Sequence, residues 1–234
     1  MISFLLPCEI QFLKIYGINH APENSSEDGN MAYSDFTLSE IKEKFQLTLE
    51  EYADIFCDVG EADISDFLSE TLRENIPLAL AIHTEKARSE MIVVPVLIEL
   101  RKMLCRRISL FSGVEFNVDK EKGLNGICDY IISLSKEQLY MAAPVISVVE
   151  AKNDNIKSGL AQCSAAMIAS EMFNKQKGNC IKTLYGIVTT GSIWKFLKLE
   201  KTALFIDVRE YYIEQLDKIM GIMLHIVNSE MSDE

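Results

Sequence analysis

The chain has 234 residues, of which 48% are hydrophobic and 25% are charged. This length suits one sizeable domain with or without a small appendage, and the composition is that of an ordinary globular protein. No apolar run approaches the ~20 residues that a membrane span needs, so a membrane-spanning chain is excluded. Residues 1–17 lack a basic start and a small-residue cleavage site, which argues against a signal peptide. Six scattered cysteines without metal-type spacing predict free thiols in a reducing cytoplasm.

The net charge of −12 is unevenly distributed along the chain. Residues 1–90 contain 18 acidic and 6 basic residues, whereas residues 91–234 contain 17 of each. Because binding to nucleic-acid phosphates depends largely on Lys and Arg, the first part is a poor surface for DNA. The second part is neutral and can still carry a local basic groove. The charge therefore predicts that the chain alone binds DNA only weakly.

The first 80 residues divide into two predicted segments. Residues 1–34 are an N-terminal segment ending in a flexible linker, because residues 19–34 ("NHAPENSSEDGNMAYS") are polar and rich in turn formers. Met31 within this linker is an alternative start. Residues 35–80 are predicted to form an acidic, mostly helical extension, in which "TLSE" (37–40) and "TLEE" (48–51) have the form of capping boxes.

Residues 81–234 alternate between helical and strand patterns and form the predicted main domain. An amphipathic segment at 83–104 predicts a helix that Pro95 kinks or interrupts. Strand-like runs follow at 113–118, 126–134 and 144–152, then an Ala-rich helix at 158–174, further strands at 183–190 and 192–200, and a closing helix at 210–228. This order predicts an α/β fold with one central mixed sheet flanked by helices.

Two carboxylates and a lysine stand out among these apolar strands. The run "VISVVEAK" (145–152) is apolar on both faces, as in a central strand, and ends with Glu150 and Lys152 on the same side, about 6–7 Å apart. Asp129 lies in the neighbouring apolar strand. Buried carboxylates are unfavourable unless they are paired or bind a metal, and their oxygens suit Mg²⁺ or Mn²⁺. An adjacent lysine can orient or help to deprotonate a water, so the pattern predicts metal-assisted phosphodiester hydrolysis.

These residues resemble the motif of the PD-(D/E)XK nuclease superfamily: Asp129, then Glu150-Ala151-Lys152, then Gln162 in the following helix. The order of helices and strands is similar to the restriction-endonuclease-like core of that superfamily. Residues 85–97 ("EKARSEMIVVPVL") and 189–200 ("TTGSIWKFLKLE") resemble the N-terminal nuclease domain of type I restriction enzyme motor subunits and related stand-alone bacterial proteins. The resemblance covers residues 83–200 and implies a DNA nuclease that uses Mg²⁺ or Mn²⁺.

The resemblance also implies roles for individual residues. Asp129 and Glu150 would bind the metal together with the backbone carbonyl of Ala151, and Lys152 would act on the attacking water. Gln162 matches the glutamine of the helix that follows the motif in related nucleases. A further acid from the preceding helix completes such sites, and the candidates here are Glu85, Glu90 and Glu99. The motif match favours Glu85.

The sequence departs from the motif in two places. Cys128 precedes Asp129 where the superfamily name has a proline, and Ala166 stands where some relatives have a tyrosine. The first change is tolerated in the superfamily, and the second removes any role of that aromatic ring.

Simpler interpretations of the same residues stay open. Glu150 and Lys152 are also compatible with a structural ion pair of the kind that contributes little energy. Gln162 is equally compatible with a helix residue that bonds a neighbouring backbone group. The alternative function is a catalytically silent fold that acts as a protein or nucleic-acid interaction module, and a homodimer or a protein partner is compatible with either function.

Overall fold

The computed structural model describes residues 31–179 and 181–231. The predictions for the opening residues 1–17, for most of the linker, and for Cys8 and Cys180 concern residues outside this described part. Cys57, Cys105, Cys128 and Cys163 are free thiols, as expected. No helix in the described ranges is both long and apolar enough to span a membrane.

A mixed eight-stranded sheet forms the centre of the protein, which confirms the predicted α/β class. The strands in chain order are β1 (Thr48–Glu50), β2 (Ser109–Glu115), β3 (Ile127–Ser133), β4 (Val145–Ala151), β5 (Thr183–Thr189), β6 (Ile193–Glu200), β7 (Ala203–Ile206) and β8 (Tyr211–Tyr212). Their order across the sheet is β1-β7-β6-β5-β4-β3-β2, and β8 pairs with β6. The β4–β5 and β1–β7 pairs are parallel and the others are antiparallel.

Helices cover both faces of the sheet. They are α1 (Leu38–Lys44), α2 (Asp66–Ile82), α3 (Glu85–Arg88), α4 (Val94–Met103), α5 (Ile156–Gln176) and α6 (Leu216–Met231). Helices α2, α4 and α6 contribute to the apolar core on one face, and α1 and α5 contribute to the core on the other. Strands β4 and β5 lie between the two cores and are buried along their whole length, which explains their continuous apolar sequences.

The segment 35–80 joins the central sheet and both cores. The predicted capping box at Thr37 is confirmed, because Thr37 N–H donates to Glu40 Oε2 at 2.7 Å and Glu40 N–H donates to Thr37 Oγ1 at 3.3 Å. The second capping box is wrong: Thr48 begins β1 and its N–H donates to Thr202 O at 2.8 Å. Pairing with β7 therefore overrides the local helical signal at this position.

Two further expectations need correction. Tyr33, assigned to the flexible linker, is 1% exposed and donates its hydroxyl to Phe116 O at 2.5 Å, so burial of one aromatic ring fixes this end of the linker. The long helix at 83–104 is not interrupted at Pro95. It consists of α3, a π-helical turn at Ser89–Val93 and α4, so the irregular turn lies upstream of the proline.

Candidate functional site

The ends of strands β3 and β4 bring Asp129 and Glu150 together. Tyr130 pairs with Val149 in the antiparallel register, and one further step places Asp129 opposite Glu150. Asp129 Oδ2 accepts a hydrogen bond of 2.8 Å from the N–H of Ala151, which fixes the carboxylate against the end of β4. The two predicted metal ligands are therefore neighbours on adjacent strands, as the sequence pattern suggested.

Lys152 connects this pair to helix α5. Its Nζ donates to Glu150 Oε1 at 2.5 Å and to Gln162 Oε1 at 3.1 Å. The backbone N–H of Lys152 donates to Thr189 O at 2.8 Å, so β5 holds the residue in line with the sheet. The lysine side chain is 18% exposed and that of Glu150 is 6% exposed. A surface ion pair does not describe this contact, because both groups lie largely beneath the protein surface.

Gln162 lies on helix α5, which follows β4. Helix α5 begins at Ile156 after Asn155, whose side chain accepts a hydrogen bond from Lys157 N–H and caps the helix. The helix then packs across β4 and β5, and its residue Gln162 contacts the lysine ammonium rather than a neighbouring backbone group. The amide oxygen is the second acceptor that orients Lys152.

Close packing of α5 against the site depends on Gly159. A Cβ at this position would lie 2.5 Å from Val188 Cγ1 and 3.2 Å from Lys152 Cγ. We expect Gly159→Ala to destabilise the protein by about 1–3 kcal/mol, because the helix must move away from β4 and β5. Gly60→Ala is the matched control, since its added Cβ meets no atom within 4 Å. Equal urea midpoints for the two variants would contradict this expectation.

A cleft of about 330 Å³ opens beside Asp129. Its lining includes Asp129, Ala151 and the candidate helix acids Glu85 and Glu90. Glu99 lies elsewhere, because it is buried in contacts with Ser65 N–H at 3.2 Å and Lys102 Nζ at 3.3 Å. The structure thus brings Glu85 and Glu90 to the site and excludes Glu99.

Glu85 and Glu90 differ in their surroundings. Glu85 is the first residue of α3, and its charge acts on both Glu150 and Lys152. Glu90 lies in the π-helical turn and forms an ion pair of 3.7 Å with Lys86. Glu85 is therefore the helix acid that interacts electrostatically with the central pair, in agreement with the residue that the motif match favours.

Burial and repulsion among the acids shift the pKa values of Glu150 and Lys152. Burial, followed by the negative charge of Asp129, raises the pKa of Glu150 to about 8, against the opposing effect of Lys152. Burial lowers the pKa of Lys152, but Glu150, Glu85 and Asp129 together outweigh this effect and raise it. Lys152 is therefore a charged ammonium at neutral pH, whereas Glu150 retains a proton there.

Cys128 beside Asp129 is not a reactive thiol. The residue is 3% exposed, and burial together with the charges of Glu150 and Asp129 raises its pKa to about 12. Because the thiolate is the nucleophilic form, the neutral Cys128 thiol acts as an apolar packing group.

Two carboxylate side chains, rather than three, are available to bind a divalent cation at this site. Within residues 31–179 and 181–231, no three His, Cys, Asp or Glu side chains are grouped closely enough to hold a metal ion. Asp129 and Ala151 line the cleft, and Glu150, whose side chain is largely buried, precedes Ala151 on β4 and supplies the second carboxylate. Mg²⁺ commonly binds through one or two carboxylates and keeps several waters, so this set is chemically sufficient. Burial and, after it, the charge of Asp129 raise the pKa of Glu150, and a bound cation would favour the ionised carboxylate.

Sequence reasoning missed the groups that surround this site. Ser89 in the π-helical turn and Tyr130 at the cleft form a hydrogen bond between their hydroxyls. Arg88 is buried and donates a hydrogen bond to the turn after β5. The strand and helix patterns of the sequence do not indicate this contact. The clearest available signal was the motif-like segment around residues 85–97, which already contained both Arg88 and Ser89.

Comparison of the chain with models of known protein families and with curated proteins finds no match.

Proposed function

We propose that the protein is a divalent-metal-dependent nuclease that hydrolyses phosphodiester bonds in DNA. The observation that carries this proposal is the grouping at one end of the sheet: Asp129 accepts from Ala151 N–H, and Lys152 donates to Glu150 and Gln162. Each residue has the chemical character that the reaction requires. The cleft at Asp129 and Ala151 offers a place for a phosphate group.

Different residues of the chain would have different roles in this reaction. Asp129 and Glu150 would hold the cation, and Glu85 would add negative charge at the cleft. When bound, the cation activates a water and offsets negative charge on the phosphate. The ammonium of Lys152 has three N–H donors, of which Glu150 and Gln162 engage two. The third is suited to orient the attacking water or to stabilise charge on the phosphate.

The protonation of Lys152 narrows its role. Its pKa is raised by Glu150, Glu85 and Asp129 against the opposing effect of burial, which keeps it charged at neutral pH. A charged ammonium is a hydrogen-bond donor and cannot accept a proton from water. Lys152 would therefore position the water and stabilise developing negative charge rather than take a proton from the water.

The arrangement of elements supports membership of the PD-(D/E)XK superfamily as part of the proposal. The succession of α4, the strands β2, β3 and β4, helix α5 and the strands β5 and β6 is the order that the motif resemblance implies. Asp129 lies on the second of these strands, the Glu-Ala-Lys triplet at the end of the third, and Gln162 on the helix that follows. A chance occurrence of the three motif letters would not require this agreement in position.

A catalytically silent interaction module is the second candidate. It is favoured by the net charge of −12 and by the lack of a three-carboxylate group among the described residues. The two candidates differ in their response to metal, because a silent module has no need for a cation at Asp129 and Glu150.

Calorimetric titration of the purified protein with Mn²⁺ tests the proposed site. Because Glu150 has a pKa of about 8, we expect binding at pH 7 to release about one proton per metal ion, measured in buffers of different ionisation enthalpy. The same property predicts that affinity increases from pH 6 to pH 8. Asp129→Asn should abolish binding, and Asp35→Asn on the surface serves as the control. Metal binding that is unaffected by Asp129→Asn would reject this site.

A further inference from the structure

Arg88, the last residue of the four-residue helix α3, contacts several separate segments of the chain. The residue is 8% exposed, and its Nη1 donates to Thr190 O at 3.1 Å and to Ser192 Oγ at 3.3 Å. Its Nη2 lies 3.8 Å from Asp154 Oδ1 and 3.4 Å from His83 Nδ1. One guanidinium thus contacts the helix corner, the turn after β5 and the loop after β4.

Each of these three segments adjoins the candidate site. Helix α3 begins with Glu85, which borders the cleft. The turn after β5 follows Thr189, whose carbonyl accepts the backbone N–H of Lys152. Asp154 lies two residues beyond Lys152, before helix α5. The contacts of Arg88 therefore hold helix α3, which carries Glu85, against the turn after β5 and the loop after β4.

The turn after β5 is shaped to receive this arginine. Gly191 has a φ of +78°, and a Cβ there would lie 3.2 Å from Ile92 Cδ1 and 3.5 Å from Arg88 Cβ. Trp194, which is fully buried, donates its indole N–H to Gly191 O at 3.0 Å. The turn is thus held from the sheet side by Trp194 and from the helix side by Arg88.

We infer that Arg88 is a positioning residue of the metal site, which it serves by holding Glu85 in place relative to Asp129 and Glu150. This inference rests on the proposed function. A planar guanidinium can bond two acceptors while facing a carboxylate, whereas a lysine ammonium on a flexible stem cannot reproduce this geometry. Arg88→Lys keeps the charge and so leaves the long-range electrostatics of the cleft unchanged. Its effect on the metal therefore reports geometry alone.

The test is Mn²⁺ affinity measured by calorimetry on wild type, Arg88→Lys and Arg101→Lys. Arg101 is the matched control, because its Nε donates to Ile108 O at 3.2 Å in a structural contact outside the cleft lining. We expect Arg88→Lys to weaken Mn²⁺ binding by about tenfold, because a shift of α3 would move the carboxylate of Glu85 away from the cleft, where it would attract the cation and bond its waters. Arg101→Lys should bind Mn²⁺ as wild type does. Thermal unfolding of all three proteins verifies that the metal-free forms are folded.

The possible outcomes separate this inference from the proposed function. Wild-type affinity in folded Arg88→Lys would overturn the inference while leaving the metal site intact. An equal loss of affinity in both arginine variants would also overturn it, because the effect would then be one of general destabilisation. If wild type binds no Mn²⁺, the proposed function fails together with the inference. Should Arg88→Lys not fold, Ser192→Ala decides: an affinity reduced about threefold supports the inference, and an unchanged affinity overturns it.

Discussion

Replacing Glu150 with glutamine should raise the melting temperature of the metal-free protein at pH 8 and above and change it little near pH 5. Glu150 as a whole residue is 5% exposed, and the pKa of its carboxyl, about 8, lies above the ordinary value of 4.5. For an acid with a raised pKa, the folded state binds more protons than the unfolded state between these two values, so stability falls as the pH rises through this window. The penalty reaches up to about 4 kcal/mol at pH 8. Lys152 remains protonated throughout the window and adds no slope.

Mn²⁺ should reverse the loss of stability at high pH in the wild-type protein and should not stabilise Glu150→Gln in this way. Saturating Mn²⁺ at pH 8 compensates the buried charge of Glu150 and stabilises the folded protein by mass action, whereas Glu150→Gln lacks the charged ligand. Differential scanning calorimetry from pH 5 to pH 9, with and without Mn²⁺, measures both effects. Glu171→Gln, which removes the carboxylate of a surface pair with Lys175, is the control and should change stability by less than about 1 kcal/mol. A melting temperature of Glu150→Gln that is below wild type at every pH would show that the ion pair is net stabilising.

Replacing Lys152 with alanine should abolish most cleavage while leaving the metal in place. We expect the rate to fall roughly 10²–10³-fold, the magnitude that the loss of one donor to a developing charge usually has. Mn²⁺ affinity should stay within a few-fold of wild type, because the carboxylates that hold the cation are unchanged. The melting temperature at pH 7 should change little, since Glu150 is protonated there and no unpaired charge is left behind.

Lys175→Ala is the matched control for this variant, because it removes a lysine that pairs with Glu171 on the exposed surface of helix α5. Its cleavage rate should equal that of wild type. A Lys152→Ala protein that loses its fold and its activity together would contradict the separate roles of the lysine and the carboxylates.

The apolar strands and the residues at their ends were predictable because the signal is local. A strand buried on both faces reads as a continuous apolar run, and Glu150 breaks such a run at its end. Asp129 interrupts the neighbouring apolar strand in the same way. To predict that the two carboxylates lie close together, one must also assume that the two strands pair. The structure shows this pairing, for example between Tyr130 and Val149.

Features that depend on distant parts of the chain were missed. Thr48–Glu50 has the sequence of a helix start, but its partner is β7 more than 150 residues later, and that pairing decides its conformation. The contact of Arg88 with Thr190 spans 102 residues and leaves no periodic trace in either segment. The predicted strand began at Gly113, because glycine is a local turn signal. In the structure β2 begins at Ser109, and Gly113, with a φ of +61°, lies inside the strand.

Metal-dependent DNA cleavage by the wild-type protein tests the nuclease proposal most directly. Supercoiled plasmid and single-stranded DNA are incubated with the protein in Mg²⁺ or Mn²⁺, with EDTA and with Asp129→Asn as controls. The proposal predicts products from at least one of these DNAs only when wild-type protein and metal are both present. Intact DNA of both kinds, under conditions in which calorimetry shows Mn²⁺ bound at the carboxylates, would contradict it and favour the interaction module.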